Sequence, residues 1–222
     1  MNVFLVLAHP ERRSFNGAMF DTAVEKLSAA GCGVATSDLY RMGFDPVSSR
    51  RNFTSVRDAS YLKLQSEEMY ATETGGFAPE IEAEIAKVEA AALMIWQFPL
   101  WWFGLPAILK GWVDRVFAMG RTYGGGHIYE TGRFSGKRAL LSLTTGGPEP
   151  AYRADGFNGD LNAMLRPIQR GILNFTGFSV LAPQVVYAPV RADDMQRATW
   201  LAAWDQRLST IDSESPIHVG RY

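Results

Sequence analysis

Apolar and polar positions alternate in blocks along the chain, and these blocks predict an orderly succession of strands and helices. Short runs that are mostly apolar are typical of strands buried on both faces of a parallel sheet. Between these runs, apolar residues recur every three or four positions, as they do on one face of a helix. The predicted strands cover residues 3–8, 34–38, 92–98, 138–144 and 179–187.

Capping residues and prolines mark where the predicted helices begin and end. Ser14 stands where it can cap a helix whose apolar positions repeat from Phe15 to Ala30, and Gly31 ends that pattern. Residues 41–76 carry little periodic signal and are left without a predicted structure. Further helices are predicted from Pro79 to about Ala92, from Pro106 to about Phe117, over 160–175 with a kink at Pro167, and through Met195, Leu201, Trp204 and Leu208.

The alternation of strands and helices predicts an α/β fold, with a doubly wound five-stranded parallel sheet as the middle of three α/β/α layers. The 222 residues suit one compact domain, and no linker, internal repeat or low-complexity stretch divides them. We therefore expect a single domain over 1–222. Because such sheets bind ligands beyond the carboxyl ends of their strands, the segments after the first, third and fourth strands are the candidates for a site.

Composition and charge argue against several classes of function. The formal net charge is −1 at pH 7, so no excess of basic residues points to nucleic acid or to an anionic membrane. Cys32 is the only cysteine, which we expect to be a small buried residue, and His9, His127 and His218 lack the spacing of a metal site. No apolar stretch approaches the roughly 18 residues that span a bilayer. With no basic segment ahead of its first apolar run, the protein is expected to be soluble and cytoplasmic.

The segment AHPERRSFN after the first strand is a candidate pyrophosphate site. The free N–H groups at the start of the next helix can meet an anion, and His9, Arg12, Arg13 and Ser14 surround that place. The alternative is an ordinary capped helix with solvated arginines. The local stretch does not decide between the two.

The segment TTGG, Thr144–Gly147, follows the fourth strand and supplies two hydroxyls and two glycines that let backbone approach a ligand closely. The alternative is an ordinary glycine turn. Neither this segment nor AHPERRSFN matches the phosphate loop or the dinucleotide fingerprint, so a Walker-type ATPase and a Rossmann dehydrogenase are not supported. The chain also lacks the nucleophile elbow G-x-S-x-G of many hydrolases.

The segment PLWWFG after the third strand is the sharpest indication of a ligand. Trp101, Trp102 and Phe103 lie in a predicted loop at the ligand end of the sheet, where flat rings and backbone amides suit a planar conjugated cofactor. A flavin is the candidate that this interpretation favours. In contrast, the periodic segments contain Trp96, Trp112 and Phe117, which we expect to be core packing.

Taken together, the segments AHPERRSFNGAM, SDLYRMGF, QFPLWWFGLPAILKGW, LTTGGPEPAY, NGDLN, PIQRGIL, FTGF and LAPQ resemble the NAD(P)H:quinone oxidoreductases of the DT-diaphorase type. The resemblance runs from about residue 5 to about 210 and is weakest between Asn52 and Phe77. It implies a flavodoxin-like fold and a homodimer with one non-covalent FAD per subunit. It also implies two-electron reduction of quinones by NADH or NADPH in a ping-pong cycle.

The same resemblance implies roles for particular residues. Tyr152 would donate a hydrogen bond toward the reduced flavin, and Asn158 would occupy the neighbouring catalytic position. The substrate would face Trp102, Phe103, Gly146 and Gly147, joined by Tyr123 and Phe175 of the other subunit. The cofactor would be held by His9, Phe15, Asn16, Ala18, Gln65, Pro99, Leu100, Trp102, Phe103, Thr144, Thr145, Gly146, Gly147, Tyr152, Arg197 and Leu201. Trp101 is assigned no role, because relatives often have a different residue there.

Three features depart from the family's best-known member. Asn158 stands where that member has a histidine, and an amide does not take up a proton near neutral pH. A relative that shares the asparagine prefers ribosyl dihydronicotinamide as the electron donor. Glycines in the segment Tyr123-Gly-Gly-Gly126 replace a second tyrosine, which predicts a wider and more mobile pocket. The sequence, which runs to Tyr222, is also expected to lack the long C-terminal extension that helps the mammalian enzymes bind the dinucleotide donor. No residue distinguishes NADPH from NADH as the donor.

Two other functions stay open on the sequence. One is a flavin-dependent azo- or nitroreductase, with FMN as another cofactor that such flavodoxin-like reductases use. The second is a regulatory module that binds flavin without turnover. The intact Tyr152 and TTGG segment speak against the regulatory module.

Overall fold

The computed structural model of the protein describes residues 1–220 and contains one parallel β-sheet. Four strands lie in the order β2-β1-β3-β4, and two short strands, β5 and β6, both pair with β4 on its outer side. The strand order therefore reverses at β1, as the predicted doubly wound topology requires. The strands are β1 (Asn2–Leu7), β2 (Gly33–Asp38), β3 (Leu93–Pro99), β4 (Arg138–Thr145), β5 (Ser179–Val180) and β6 (Gln184–Tyr187).

Helices cover both faces of the sheet. The apolar side chains of α1 and α6 pack on one face, and those of α3, α4 and α5 pack on the other. Because the middle strands β1 and β3 are covered on both sides, almost every residue in them is apolar and buried. The helices are α1 (Phe15–Ala29), α2 (Leu64–Thr74), α3 (Pro79–Ala90), α4 (Ala107–Val116), α5 (Leu161–Ile168) and α6 (Asp194–Leu208).

Helix α2 lies in the region for which the sequence predicts no structure. Two buried carboxylates of this helix accept hydrogen bonds from the backbone of neighbouring segments. Glu67 accepts hydrogen bonds from the backbone N–H groups of Arg57 and Asp58 at 2.8 and 3.0 Å, and these bonds lower the pKa of Glu67. Glu68 accepts from the N–H of Met119 at 2.7 Å, while burial raises the pKa of Glu68. Since polar groups rather than an apolar stripe fix this helix, the hydrophobic pattern does not reveal it.

Several boundaries differ from the prediction. The predicted last strand, 179–187, is two strands, because the chain leaves the sheet around Pro183, which has no N–H to donate. The predicted helix over 160–175 changes at Ile168 into a π-helical turn, Gln169–Asn174. Helix α3 ends at Ala90, before the predicted end at Ala92. Cys32, expected to be buried, is partly exposed.

Within residues 1–220, no helix is long and apolar enough to cross a membrane. The same residues contain no cluster of three or more His, Cys, Asp or Glu side chains that could hold a metal ion.

Candidate active site

A cavity of about 500 Å³ lies beyond the carboxyl ends of β1, β3 and β4, beside the point where the strand order reverses. The three segments that the sequence selects all contribute to it, and a fourth segment after β6 closes one side. Its walls combine apolar surfaces with polar groups, as ligand pockets generally do. The lining residues are His9, Ser14, Phe15, Asn16, Pro99, Leu100, Trp101, Thr144, Thr145, Gly146, Pro189, Val190 and Arg197.

The start of α1 contributes the amide and hydroxyl groups of the cavity, not the arginines. Ser14 caps the helix by accepting a hydrogen bond from the N–H of Gly17 at 3.2 Å. Arg12 is directed away from the cavity, because its guanidinium forms ion pairs with Asp21 and Asp38. The Arg13 side chain is 91 % exposed. Of the four residues expected to surround an anion here, only His9 and Ser14 line the cavity.

The two glycines of the TTGG segment differ in what surrounds them. A Cβ atom added to Gly146 would meet no atom of the described residues within 4 Å, so this glycine faces open space at the cavity wall. A Cβ added to Gly147 would lie 3.2 Å from the ring of Tyr152. Thr145 fixes the turn between them by donating its hydroxyl hydrogen to the carbonyl of Gly147 at 2.8 Å. Gly146 thus leaves room on the ligand side, and Gly147 leaves room for Tyr152.

Tyr152 and Asn158 lie together behind this glycine wall. The Asn158 amide nitrogen is 3.5 Å from the same Cβ position on Gly147, and the Tyr152 hydroxyl is 3.6 Å from it. Tyr152 is only 8 % exposed and borders a second cavity of about 720 Å³. Its ring lies 6.0 Å from that of Tyr187, whose pKa is raised by burial.

The aromatic segment forms a strained turn at the carboxyl end of β3. The N–H of Gly104 donates to the carbonyl of Trp101 at 3.0 Å, and the two residues between them, Trp102 and Phe103, have φ angles of 50° and 58°. This left-handed pair corresponds to a type I′ turn, in which Asn and Gly are the usual residues. The left-handed conformation costs about 1–2 kcal/mol for an ordinary residue, and such strain is concentrated at functional sites.

The strained turn presents its rings outward. Trp102 is 97 % exposed and Phe103 is 50 % exposed, whereas Trp96, Trp112 and Phe117 are buried core residues as predicted. Trp101, to which the sequence assigned no role, lines the cavity with its ring centroid 6.1 Å from that of His9. Its place was not visible from the sequence, because the direction of each ring depends on the turn.

A second cluster of expected site residues lies apart from the cavity lining. Gln65 donates its side-chain amide to the Tyr123 hydroxyl at 3.4 Å, and the Tyr123 and Phe175 rings are 5.7 Å apart. Burial raises the pKa of Tyr123. Tyr123 and Phe175 border a shallow cavity of about 200 Å³ between α4 and the π-helical turn. Within one chain, these residues do not join the main cavity.

Arg197, which was expected to bind the cofactor, shapes the fourth wall, and this wall includes the segment after β6 that was not among the three selected segments. Its guanidinium donates to the carbonyls of Pro189 and Ala192 and pairs with Asp194, so it holds the segment after β6 in place. Val190, in that segment, is 83 % exposed at the cavity edge. Leu201 packs against the core under α1, and Ala18 lies in the first turn of α1 outside the lining.

The residues that were expected to bind the cofactor fall into two groups: those that line the cavity and those that do not. The cavity is lined by His9, Phe15, Asn16, Pro99, Leu100, Thr144, Thr145, Gly146 and Arg197. Outside the lining lie Ala18, Gln65, Trp102, Phe103, Gly147, Tyr152 and Leu201. Ser14, which was expected to lie beside a bound pyrophosphate, also lines the cavity, whereas Trp101, Pro189 and Val190 line it without having been expected to bind a ligand.

Known proteins resemble this chain closely. The family described by its flavodoxin-like fold matches residues 1–208. NAD(P)H dehydrogenase [quinone] 1 of Rattus norvegicus is 46 % identical over 215 residues, which cover 96 % of this chain and 78 % of the rat protein. Ribosyldihydronicotinamide dehydrogenase [quinone] of Pongo abelii is 45 % identical over 218 residues, covering 97 % of this chain and 94 % of the other.

A solved structure from Klebsiella pneumoniae, provisionally described as a quinone reductase, superposes with a TM-score of 0.94 at 40 % identity. The match covers 98 % of this chain and 87 % of the Klebsiella chain. The fold, the resemblance seen in the sequence segments and the enzyme class therefore agree. The chain belongs to the flavodoxin-like family of NAD(P)H and ribosyldihydronicotinamide dehydrogenases (quinone), a family of oxidoreductases.

Proposed function

We propose that this protein binds FAD non-covalently in the main cavity and catalyses two-electron reduction of quinones by NADH or NADPH in a ping-pong cycle. One observation carries the proposal: a cavity with amide and hydroxyl groups on its floor opens at the carboxyl edge of the sheet beside a strained turn that displays two aromatic rings. The names of the rat and Pongo abelii relatives supply the donor and acceptor classes.

The lining residues fit a flavin. Open space at Gly146 admits a flat ring close to the backbone, and Asn16 and Thr144 supply polar groups beneath it. Pro99, Leu100 and Trp101 add apolar surface to the lining. His9, Ser14, Phe15 and the start of α1 would hold the phosphate side, because helix N-termini favour negative charge. The segment fixed by Arg197 would meet the adenine end, together with Leu201.

In the proposed reaction, the cofactor transfers hydride, and the side chains bind and orient the reactants. A bound flavin supplies hydride acceptance from the reduced nicotinamide and hydride donation to the quinone. Overall, NAD(P)H, a proton and the quinone become NAD(P)⁺ and the hydroquinone. Trp102 and Phe103 would contact the nicotinamide and the quinone with their rings. Tyr152 would donate a hydrogen bond that stabilises negative charge on the flavin, and Asn158 would hydrogen-bond beside it without taking up a proton.

We further propose that two copies of the chain complete each site. Gln65, Tyr123 and Phe175 form a cluster that is partly exposed to solvent. None of the three residues lines the main cavity of its own chain. In a homodimer, this cluster would meet the partner's Trp102 and Phe103 and close the substrate pocket. The whole chain would serve as one FAD-binding domain, working in the cytoplasm.

The function is tested by purifying the protein, denaturing it and identifying the released flavin by chromatography. We expect a yellow protein that releases FAD and whose bound flavin is reduced by NADH or NADPH in stopped flow, with quinones preferred over azo dyes by kcat/KM. Released FMN with preferred azo reduction would favour the azoreductase. A protein that holds flavin but oxidises no donor would favour the regulatory module, and one that cannot bind flavin would refute the proposal.

Gly146→Ala tests whether the cavity is the flavin site. The added methyl group meets no protein atom within 4 Å, so folding stability should not change, but the methyl group would occupy ligand space. We expect the affinity of the apoprotein for FAD to fall about tenfold or more. The matched control is Gly104→Ala, where the nearest atom to the new Cβ is 4.0 Å away and the residue does not line the cavity. Equal flavin affinity in the two variants would place the flavin elsewhere.

A further inference from the structure

Beneath the cavity floor, three buried polar side chains form a chain of hydrogen bonds that begins inside the core. The Gln97 amide donates to the Asn16 side-chain oxygen at 2.8 Å, and the Asn16 amide donates to the Thr144 hydroxyl oxygen at 2.9 Å. Gln97, Asn16 and Thr144 are 1 %, 3 % and 5 % exposed. Only Asn16 and Thr144 reach the cavity, and Gln97 lies behind them on β3.

The donor and acceptor of each of these hydrogen bonds follow from the contacts of Gln97. The Gln97 amide nitrogen also lies 3.8 Å from the sulfur of Met19. A thioether sulfur can only accept a hydrogen bond, so the NH₂ group of Gln97, and not its oxygen, faces both Met19 and Asn16. The Asn16 oxygen must then point to Gln97, which turns the Asn16 NH₂ group toward Thr144. The lone pair that Thr144 offers to Asn16 is therefore occupied, and its hydroxyl hydrogen remains available to donate.

We propose that Gln97 is a positioning residue that aims the hydroxyl hydrogen of Thr144 into the cavity, toward an acceptor atom of the bound flavin ring. The inference rests on the proposed function and adds a tuning role to it. A hydrogen bond to a charged acceptor is stronger than one to a neutral acceptor. Because the ring gains negative charge on reduction, a donor held in this direction stabilises reduced flavin more than oxidised flavin and raises the midpoint potential.

Removing the donor at position 97 is the direct test. In Gln97→Met, the Asn16 oxygen loses its partner, so the Asn16 amide can rotate and accept the Thr144 hydroxyl hydrogen in place of the flavin. We expect reduced flavin to lose about tenfold more affinity than oxidised flavin, which moves the two-electron potential about 30 mV more negative. Thr144→Val should give the same shift, and Thr144→Ser should retain the wild-type potential. Gln97→Leu repeats the test if Gln97→Met folds poorly.

The double variant Gln97→Met/Thr144→Val separates positioning from a merely structural role. If Gln97 acts through Thr144, the second substitution adds no further shift in potential. The matched control is Ser142→Ala, two residues earlier on β4, which removes a buried hydroxyl that has no hydrogen-bond partner within residues 1–220. This variant should leave the potential unchanged.

Additive shifts, or a loss of thermal stability in Gln97→Met with an unchanged potential, would overturn the inference. A wild-type protein that binds no flavin would overturn the proposed function first, and this inference with it.

Discussion

Replacing Tyr152 with phenylalanine is expected to slow the reduction of the bound flavin by about 10- to 1,000-fold, with the upper part of this range corresponding to the loss of one preorganised donor from a site of developing charge. The tyrosine hydroxyl lies against Gly147, next to the cavity wall at Gly146, and the side chain is almost fully buried. A buried donor in a fixed place needs little reorganisation during the reaction. Stopped-flow reduction by NADH and NADPH measures the effect directly.

Tyr187→Phe is the matched control for this variant. Its ring lies 6.0 Å from that of Tyr152, but Tyr187 does not line the main cavity. The control should reduce flavin at close to the wild-type rate and retain flavin affinity. If Tyr152→Phe were as fast as wild type, the hydroxyl would have no role in stabilising charge, and the assignment of Tyr152 as a catalytic residue would be wrong.

The second large effect is expected when Trp102-Phe103 is changed to Asn-Gly. This double variant should be more stable than the wild type but less active. Asn and Gly adopt the left-handed conformation at little cost, so the double variant should gain about 2 kcal/mol in free energy of unfolding. It should also lose the contacts that the two rings make with the nicotinamide and with the quinone. Two aromatic contacts at up to about 1.5 kcal/mol each imply a loss of about 10- to 100-fold in kcat/KM for the quinone.

Urea denaturation and steady-state kinetics of the same preparation test both halves of this expectation. The single variants Trp102→Asn and Phe103→Gly apportion the strain and the lost contact between the two positions. An unchanged free energy of unfolding would show that the left-handed pair stores no strain. A stabilised protein with the full wild-type kcat/KM would show that the exposed rings do not serve the reaction.

Much of the fold follows from the sequence because its strongest determinants are local. The buried strands β1, β3 and β4 read as apolar runs, and Ser14 caps α1 where a cap is predicted. The features that were missed depend on tertiary contacts. Helix α2 is anchored by Glu67 and Glu68 through distant N–H groups, which leave no periodic apolar pattern to recognise.

The segments that form the candidate site could be predicted from the sequence, but the directions of their side chains could not. The sequence places three segments at the ligand edge of the sheet, and all three contribute to the cavity. It could not show that Arg12 turns away to Asp21 and Asp38, since that depends on where β2 ends. Nor could it show that Trp101 faces the cavity while Trp102 faces outward, because the φ angles of the turn decide the direction of each ring.

We propose that the cavity at the edge of β1, β3 and β4 holds a flavin with one face of its ring left accessible beside the aromatic turn. A crystal structure of the protein with bound FAD would show whether it does. We expect the isoalloxazine ring to lie against Gly146, the pyrophosphate of FAD to lie near the start of α1, and Trp102 or Phe103 to lie at the open face of the ring. Density for FAD at another place, with this cavity free of the nucleotide, would contradict it.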